Sequence, residues 1–315
     1  MSCGNPRTIQ CGMGSLTNTE ARLDCDVIIV NFNAGSLLLD CVSSVFEAGA
    51  AKCIVVDNDS TDGSIECLEE AFDREDLLVV RNSHNAGFAS ACNTGARLST
   101  ASHLLFLNPD CTLADHALPL MLEALESATD IGMVGGFLSN PDGSEQAGGR
   151  RVFPTPRRAF IRAFGLSSLG RLFPRYFSDF LLHTEPLPTE PAVVEAISGA
   201  CMLVKREAME DVGLWDEEYF LHCEDLDWCM RFELKGWKVV FVPDARVVHV
   251  KGTCSRTRPV FVEWHKHRGM LRFYRKFFHD QYSGLLWGLV SAGVWLRFGL
   301  VATYYSARHL FTRAA

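Results

Sequence analysis

Residues 26–62 read DVIIVNFNAGSLLLDCVSSVFEAGAAKCIVVDNDSTD, and this stretch decides the fold. Two apolar runs of strand length, Asp26–Asn31 and Cys53–Asp57, flank a segment with the length of a helix, Ser36–Ala48. Strands that are apolar throughout are buried on both faces, as in a parallel sheet that helices cover on each side. The stretch therefore predicts a β–α–β unit whose two strands run in the same direction and end at the same edge of a sheet.

The same alternation of apolar runs and helical patterns continues to about residue 127. The next predicted elements are a helix at Asp62–Phe72, a strand at Leu77–Arg81, a helix at Gly87–Leu98, a strand at His103–Asn108 and a helix at Asp115–Ser127. We therefore predict an α/β fold with a Rossmann-like, mostly parallel central sheet and helices on both faces. Ligands of such sheets collect at the carboxyl ends of the strands.

The pattern becomes less regular in the second half of the chain. Gly, Pro and Arg interrupt residues 135–191, which predicts an irregular α+β segment. Beyond it we predict a strand at Ala196–Lys205, a helix at Asp225–Lys235 and one or two strands at Lys238–Val250. These patterns divide the chain into a loose N-terminal extension (1–24), a domain (25–255) and a C-terminal tail (256–315).

The tail contains two apolar segments of different kinds. Trp264–Phe278 interleaves basic and aromatic residues, which predicts an amphipathic helix at a membrane surface. Gly284–Leu296 is apolar except for Ser291, and it is too short to cross ~30 Å of hydrocarbon. A helix continued through Phe298–Tyr305 could cross, with Arg297 inside the membrane at a cost in free energy. The pattern fits an interfacial or re-entrant helix, a membrane span or a packed soluble helix.

Charge is unevenly distributed along the chain. The formal net charge of −8 argues against a general nucleic-acid binder, because such proteins need a basic surface to displace counterions. Arg150–Arg175 nevertheless holds seven Arg and no acid, and Lys251–Lys276 holds eight basic residues and one acid, Glu263. Each basic stretch is either a solvated face or a surface for anionic lipid or diphosphate.

The cysteines favour a reducing compartment. Most of the 12 lie in apolar runs, among them Cys25, Cys41, Cys53, Cys67, Cys92 and Cys201, and no two have C-x-x-C spacing. Such thiols act as small buried apolar side chains, and we do not expect a zinc site. Residues 1–19 also lack the apolar stretch of a signal peptide. We therefore expect a cytoplasmic protein.

Four polar clusters follow the predicted strands: Asn31–Asn33, Asp57–Ser64, Asn85–Gly95 and Asn108–Asp110. At a strand end, the Asp57 carboxylate could accept a hydrogen bond from a pyrimidine N–H or a ribose hydroxyl, although its D-N-x-S context also fits a turn and helix cap. Gly87 begins a helix whose free N–H groups would suit an anionic group. Asp110 is a natural ligand for Mg²⁺ or Mn²⁺ beside a diphosphate, although N-P-D alone is more often a turn. Neither a G-x-G-x-x-G fingerprint nor a P-loop is present.

The second half adds candidate acid–base residues. Glu224 and Asp225 precede an apolar helix, where they either abstract a proton or simply complement the helix dipole. His249 ends the strand pattern at Val239–Val250, where a lone His is more often structural than a ligand. Glu224, Asp225 and His249 are therefore the candidate site residues of the second half.

Six motifs, in this order, resemble family 2 glycosyltransferases. They are NFN at 31–33, DNDSTDGS at 57–64, NAGFASACNTG at 85–95, LLFLNPD at 104–110, ISGACMLVKREAMEDVGLWDEEYFLHCEDLDWCMR at 197–231 and a W-x-V-x-x-x-P-x-A-x-V-x-H run at 237–249. Within the family the chain most resembles the rhamnosyltransferase-like branch that builds bacterial surface polysaccharides. The resemblance covers about residues 25–255. It implies a GT-A fold with a nucleotide-binding half (25–135) and an acceptor and catalytic half (136–255).

The resemblance also implies a role for each matching residue. Asp57 would hold the nucleoside base in a donor pocket that also contains Asn31, Phe32, Asp59, Asn85, Gly87, Asn93 and Asn108. Asp110 matches the last acid of the family's D-x-D metal motif, whose first acid is Asn108 here, and His249 matches a position that completes the metal shell in some relatives. A divalent ion, Mg²⁺ or Mn²⁺, is thereby implied as cofactor. Asp225 matches the acid of the family's E-D motif, the catalytic base, and Glu224 is the alternative base.

The implied activity is inverting transfer of a sugar from a nucleoside-diphosphate sugar to a saccharide acceptor. Rhamnose from a thymidine or uridine diphosphate is the first expectation. The acceptor is expected on a polyprenyl diphosphate, at the cytoplasmic face of the cell membrane. The two rivals are a non-catalytic scaffold that binds nucleotide or glycan and a nucleotidylyltransferase. The latter needs a glycine-rich basic loop after its first strand, and Asn33–Ser36 contains no Lys or Arg.

Overall fold

The structure is a computed structural model that describes residues 22–156, 158, 181–250, 258–281 and 283–314. Most of the predicted N-terminal extension lies outside these ranges, as do residues 159–180 of the predicted irregular segment. The described ranges contain a nine-stranded sheet and the residues predicted to form the site.

Every strand and helix predicted in the first half is present. The strands are β1 (Leu23–Asn31), β2 (Ala50–Asp57), β3 (Leu77–Arg81) and β4 (His103–Leu107), followed by a short β5 (Cys111–Leu113) that the sequence pattern does not predict. The helices are α1 (Leu37–Glu47), α2 (Ser64–Ala71), α3 (Phe88–Leu98) and α4 (Ala117–Glu126). The boundaries lie within three residues of the predicted ones.

Strands β1 to β4 form the parallel part of the sheet. β1 pairs in parallel with β2 on one side and β4 on the other, and β2 pairs in parallel with β3. Side chains of β1 alternate between two cores, with Val27 and Ile29 in one and Ile28 and Val30 in the other. This alternation follows from the two-residue period of a strand. The predicted sheet with helices on both faces is therefore confirmed.

The second half extends the same sheet, so the prediction of an irregular segment at 135–191 is wrong at its start. Its strands are β6 (Ile131–Ser139), β7 (Arg150–Arg151), β8 (Ala192–Val193), β9 (Ala196–Ile197), β10 (Cys201–Lys205) and β11 (Lys238–His249). The strand predicted at Ala196–Lys205 is thus split in two. The sheet order is β3-β2-β1-β4-β10-β6-β11-β5, with β8 beside β11 and a separate β7–β9 pair. Because β10 is antiparallel to both β4 and β6, the sheet is mixed, but most of its strands run in one direction.

Four further α-helices lie wholly within the described ranges: α5 (Arg206–Val212), α6 (Glu224–Leu234), α7 (Pro259–Phe278) and α8 (Gly284–Ala314). One face of the sheet is covered by α1, α2 and α4, and the other by α3, α5, α6 and α7. Phe273 and Tyr274 of α7 are buried in the same core as Trp228 of α6. The packing therefore joins α7 to the domain, although the sequence pattern assigns it to the tail.

Helix α8 leaves the domain and packs mainly on α7. The rings of Trp264 and Trp295 have centroids 4.8 Å apart, and Arg297 Nη1 contacts His267 Nε2 over 3.0 Å. By length and composition Gly284–Arg308 could cross a membrane, and the most apolar part of this segment is not buried. The three alternatives for this segment stay predictions.

The two basic stretches are not simple surfaces. Arg150 is buried, Arg151 forms an internal ion pair, and Arg272 and Lys276 both contact Asp216. These four basic residues therefore make contacts inside the fold. Residues 159–180 and 251–257 of the two stretches lie outside the described ranges.

The prediction that the cysteines are small buried side chains is largely confirmed within the described ranges. The nine cysteines there are free thiols, and eight of them are buried. Cys67 is the exception: it is exposed on α2 rather than buried in an apolar run.

Candidate active site

The carboxyl ends of β1 and β2 lie side by side, with Asn31 opposite Asp57 in the parallel register. Asn31 Nδ2 donates to Asp57 Oδ1 over 2.8 Å, and the Ser60 backbone N–H donates to Asp57 Oδ2 over 3.0 Å. Asn31 Oδ1 is buried and has no hydrogen-bond partner among the described residues. A buried acceptor of this kind suits the donor group of a ligand or an ordered water. The pair therefore fits the predicted donor pocket.

Asn33 connects the loops that follow β1 and β2. Its backbone N–H donates to Ser60 Oγ over 3.0 Å, and its Oδ1 accepts from the Thr61 N–H over 2.8 Å. Phe32 is half-buried next to it, and Asp59 is exposed with a φ of 65°. Both predicted donor residues thus flank the Asn31–Asp57 pair, and their contact with a donor stays a prediction.

The start of α3 differs from the predicted row of free N–H groups. The Gly87 N–H donates to Asn85 Oδ1 over 3.0 Å, and the Phe88 N–H donates to the Phe220 carbonyl over 3.0 Å. Gly87 has a φ of 87° and a ψ of 166°, and a Cβ added there would lie 2.9 Å from the Phe220 oxygen. Only glycine adopts this backbone conformation readily. Gly87 and Phe88 therefore join the donor half to the loop of Phe220, and Asn85 accepts the Gly87 N–H beside them.

The position of Asn93 corrects its predicted contact with the donor. Its Nδ2 donates to the Trp215 carbonyl over 2.9 Å and to Glu217 Oε1 over 2.8 Å. Its Oδ1 accepts from the Trp215 N–H over 3.0 Å. Both amide hydrogens are thereby used, and none is left for a ligand. Asn93 instead fastens the loop that precedes α6.

His249 at the end of β11 lies beside the loop that follows β4. In the antiparallel register of β11 and β5 it stands opposite Cys111, and the Val250 N–H donates to the Asp110 carbonyl over 2.9 Å. Asp110 Oδ1 and His249 Nε2 are 3.2 Å apart, and both side chains are buried. The structure thus brings together the two residues predicted to bind metal.

This pair has the donor chemistry of a divalent-cation site. Asp110, Cys111 and His249 can each offer one ligand atom within 4.8 Å of the others. Cys111 is the poorest ligand, because burial raises the pKa of its thiol and its Sγ contacts the Ala200 carbonyl at 3.5 Å. A carboxylate with an imidazole suits Mn²⁺ better than Mg²⁺, which prefers oxygen ligands. Asn108 is half-buried next to the pair, and its N–H donates to the Ala200 carbonyl over 2.9 Å.

Asp225, in the first turn of α6, is held as a carboxylate. Arg151 Nη2 lies 2.5 Å from Asp225 Oδ2, which also accepts from the Gly199 N–H over 3.1 Å. Asp225 Oδ1 accepts from the Leu226 N–H over 2.8 Å. Burial alone would raise the pKa of Asp225, but the charge and hydrogen bond of Arg151 hold this pKa below its usual range.

Glu224 has the opposite environment. Burial, reinforced by the charge of Asp225, raises the pKa of Glu224 to about 8. Its Oε2 is buried and has no hydrogen-bond partner among the described residues. Adjacent carboxyl groups with opposite pKa shifts are typical of acid–base sites.

Comparisons with known proteins show the family to which this chain belongs. The profile of Glycosyl transferase family 2 matches residues 26–213, and that of Glycosyl transferase family group 2 matches residues 173–312. The chain belongs to glycosyl transferase family 2. This glycosyltransferase is 30% identical over 219 residues to N-acetylglucosaminyl-diphospho-decaprenol L-rhamnosyltransferase of Mycobacterium tuberculosis, covering 65% of the chain and 68% of the relative. The predicted resemblance to rhamnosyltransferases is therefore confirmed.

Solved structures confirm the GT-A fold of this glycosyltransferase. A mannosyltransferase from Pyrobaculum calidifontis, in complex with GDP-Man and Mn²⁺, aligns with a TM-score of 0.56 at 16% identity, over 93% of this chain and 76% of that chain. GalNAc-T7, with UDP, GalNAc and Mn²⁺, aligns with a TM-score of 0.55 at 21% identity, over 73% of this chain and 44% of that chain. At these identities the likeness concerns the fold.

Two residues that contact the candidate site residues lie outside every sequence motif. Arg151 belongs to the basic stretch, and its ion pair with Asp225 joins positions 74 residues apart. Gln146 Oε1 lies 2.6 Å from His249 Nδ1, although the two residues are 103 positions apart. Neither follows a predicted strand, so no local pattern indicates the contact.

Proposed function

We propose that the chain is an inverting glycosyltransferase that moves a sugar from a pyrimidine nucleoside-diphosphate sugar to a saccharide acceptor. The observation that carries the proposal is the meeting of three groups at one sheet edge: the Asn31–Asp57 pair, the Asp110–His249 pair and Asp225. The loop before β10 lies beside the last two groups, because Gly199 contacts Asp225 and Ala200 contacts Asn108, two residues before Asp110. A donor pocket, a cation site and a base are the parts that this transfer needs.

Asp225 is the proposed base for the transfer. Its carboxylate would accept the proton of the acceptor hydroxyl while the acceptor oxygen attacks the anomeric carbon. The bond from that carbon to the nucleoside diphosphate breaks on the opposite face, so one displacement inverts the anomeric configuration. Arg151 holds the Asp225 carboxylate in place and keeps it unprotonated at neutral pH.

Asp110 and His249 are the proposed ligands of a divalent cation. Their carboxylate and imidazole lie 3.2 Å apart, and the donor set fits Mn²⁺. A bound cation would neutralise the charge that grows on the leaving diphosphate. Asn108 replaces the first acid of the family motif, so we assign the protein ligands to Asp110 and His249 alone.

The donor proposal rests on the Asn31–Asp57 pair and on the named relative. Asp57 offers carboxylate oxygens, and Asn31 offers a free buried amide oxygen, to the N–H and hydroxyl groups of a pyrimidine nucleoside. The name of the Mycobacterium tuberculosis relative supports L-rhamnose as the transferred sugar and a polyprenyl-diphosphate acceptor. We accordingly propose a thymidine or uridine diphosphate rhamnose as the donor, in the synthesis of a cell-surface polysaccharide.

A lipid-linked acceptor also agrees with the position of α7 and α8. The ring of Phe261, in the first turn of α7, lies 5.7 Å from that of Phe220, whose carbonyl contacts the start of α3. Helix α8 packs on α7 and exposes its apolar residues. We propose that these helices hold the enzyme on the cytoplasmic face of the cell membrane, close to the acceptor.

The test has a binding arm and a transfer arm. Calorimetry with a panel of nucleoside diphosphates and their sugars, with and without Mn²⁺ or Mg²⁺, should show metal-dependent binding of a uridine or thymidine diphosphate. Asp110→Ala should abolish the metal dependence. NMR of the product formed on a lipid-linked saccharide should show an inverted anomeric configuration. A retained configuration would reject the mechanism.

A non-catalytic scaffold is the second candidate, and two observations favour it. Asn108 stands where the family motif has an acid, and the base Asp225 is engaged by Arg151. Donor binding without turnover on any acceptor would support the scaffold and reject the transferase.

A further inference from the structure

Gln146 lies between β6 and β7, and its side chain is buried. Its Oε1 lies 2.6 Å from His249 Nδ1. Its Nε2 donates to the His249 carbonyl over 3.2 Å and to Asn140 Oδ1 over 3.1 Å. One side chain therefore contacts both the ring and the backbone of a proposed metal ligand.

These contacts fix which ring nitrogen of His249 carries a proton. A backbone carbonyl can only accept, so the NH₂ group of Gln146 must face the His249 carbonyl and Oε1 must face the ring. The amide oxygen can only accept as well, so the ring nitrogen facing it, Nδ1, must carry a hydrogen. In the neutral ring the lone pair then lies on Nε2, which faces Asp110 Oδ1 at 3.2 Å.

We propose that Gln146 is a positioning residue for the metal site, because it holds His249 in the Nδ1–H form and presents Nε2 to a cation shared with Asp110. The inference rests on the proposed function, which supplies the metal. A carboxylate oxygen and an unprotonated ring nitrogen are both electron donors, and a cation between them satisfies both. Outer hydrogen bonds of this kind typically change metal affinity by roughly 10–100-fold.

The turn that holds Gln146 supplies a matched control. Asn140 Nδ2 donates to Ser144 Oγ over 2.9 Å, and this hydroxyl also donates to Asp142 Oδ1 over 2.6 Å. Ser144→Ala removes these contacts from the same turn, and the described hydrogen bonds of Ser144 do not reach Gln146 or His249. A general loosening of the turn would therefore appear in Ser144→Ala as well.

The test compares the full-length chain with Gln146→Leu, Gln146→Glu and Ser144→Ala. Calorimetric titration with Mn²⁺, alone and with UDP or dTDP, should show roughly 10–100-fold weaker Mn²⁺ binding in Gln146→Leu. Gln146→Glu keeps an acceptor for the Nδ1–H and should restore most of the affinity, while Ser144→Ala should bind as the unsubstituted chain does. Nitrogen NMR of the metal-free chain, at a pH where the ring is neutral, should place the His249 proton on Nδ1.

Two results would overturn the inference. One is unchanged Mn²⁺ affinity in a folded Gln146→Leu variant, and the other is a proton on Nε2 of the neutral ring in the unsubstituted chain. The NMR measurement needs no variant, so a Gln146→Leu protein that fails to fold does not end the test. If the unsubstituted chain binds no Mn²⁺ even with nucleotide, the proposed metal site itself is wrong and the inference falls with it. If the unsubstituted chain and Gln146→Leu bind Mn²⁺ equally well, only the role of Gln146 is rejected and the metal site stands.

Discussion

Asp225 and Glu224 are neighbours in the sequence, and their pKa values are displaced in opposite directions. A general base acts only when it is unprotonated, so activity is present above its pKa and is lost as the pH falls through it. If Asp225 is the base, its lowered pKa should leave kcat/KM level between about pH 6 and 8. If Glu224 were the base, activity would rise as the pH passes its pKa of about 8.

Substitutions complete this test at the same residues. Asp225→Asn should lower kcat by ~10²–10⁴-fold while donor affinity stays near its original value, because general-base assistance is lost and the donor pocket is intact. Glu224→Gln should leave the shape of the pH profile unchanged. A rising limb near pH 8 that disappears in Glu224→Gln would transfer the role of base to Glu224.

The candidate site residues that directly follow strands can be predicted from the sequence. Those that come from irregular segments cannot. Asp57 and Asp110 are predictable because the carboxyl ends of parallel strands meet at one edge of a sheet, whatever the loops do. Arg151 and Gln146 depend on the path of the chain between β6 and β7, which no periodicity encodes. Asn93 lies in a predicted motif, but only the structure shows that its amide is turned into a protein loop.

At the scale of elements, the first half follows directly from its apolar runs, whereas β6 is obscured by glycine. A Cβ on Gly135 would lie 2.7 Å from Ile197 Cδ1, and one on Gly136 would lie 2.5 Å from the Ala245 carbonyl oxygen. These glycines allow neighbouring chain segments to approach closely within a strand. In the sequence the same glycines indicate an interruption of the strand, because the residues that they contact are 62 and 109 positions away.

The start of α3 gives a prediction with a matched control. Gly87→Ala places a Cβ against the Phe220 carbonyl in a backbone conformation that suits glycine alone, and it should destabilise the fold by about 2–4 kcal/mol. Gly63→Ala, at a φ of 78° with no atom within 4 Å of the added Cβ, should cost about 1–2 kcal/mol. Urea unfolding of both variants measures the difference. Equal costs would show that the Phe220 contact is unimportant.

Helix α7 fixes the loop that precedes the proposed base. Lys276 Nζ lies 2.7 Å from Asp227 Oδ2 and 2.8 Å from Asp216 Oδ2, and the Asp227 side chain is fully buried. Gly269 of α7 packs so closely on this loop that a Cβ would lie 2.7 Å from the His222 carbonyl oxygen. The spacing of apolar residues in α7 predicts a helix. It does not indicate that the apolar face of this helix packs in the core of the domain.

Removing Lys276 tests this link. Lys276→Met should lower the free energy of unfolding by about 1–3 kcal/mol, because the buried Asp227 carboxylate loses one of its two cationic partners. Lower kcat should accompany the loss, since the loop carries the start of α6. Lys266→Met, which breaks an ion pair with Glu263 near the surface of the same helix, should cost less than ~1 kcal/mol. Similar losses in the two variants would mean that α7 does not fix the loop through Lys276.

At the scale of the whole molecule, the domain and α8 have different surfaces. The domain buries its apolar residues in two cores, whereas α8 exposes a continuous apolar surface over Gly284–Arg308. At ~1.5 Å per residue this segment is about 37 Å long, which exceeds the ~30 Å of a bilayer core. Arg297 lies within it and contacts His267 of α7, so the neighbouring helix provides a partner for its guanidinium group. Exposed apolar surfaces of this size mark contacts with a membrane or with another protein, and we expect a membrane here.

Vesicle binding tests whether α8 contacts a membrane, and an exposed leucine on α6 provides the control. The unsubstituted chain should sediment with anionic vesicles, and Leu289→Asp with Leu296→Asp should leave it in the supernatant, because these side chains are 62% and 68% exposed on α8. Leu234→Asp, 69% exposed on α6, should sediment normally, because it adds the same charge outside α8. Release of the sedimented chain by alkaline carbonate would indicate an interfacial helix, whereas release by detergent alone would indicate a span. Equal sedimentation of all three chains would show that the exposed face of α8 is not what binds the vesicles.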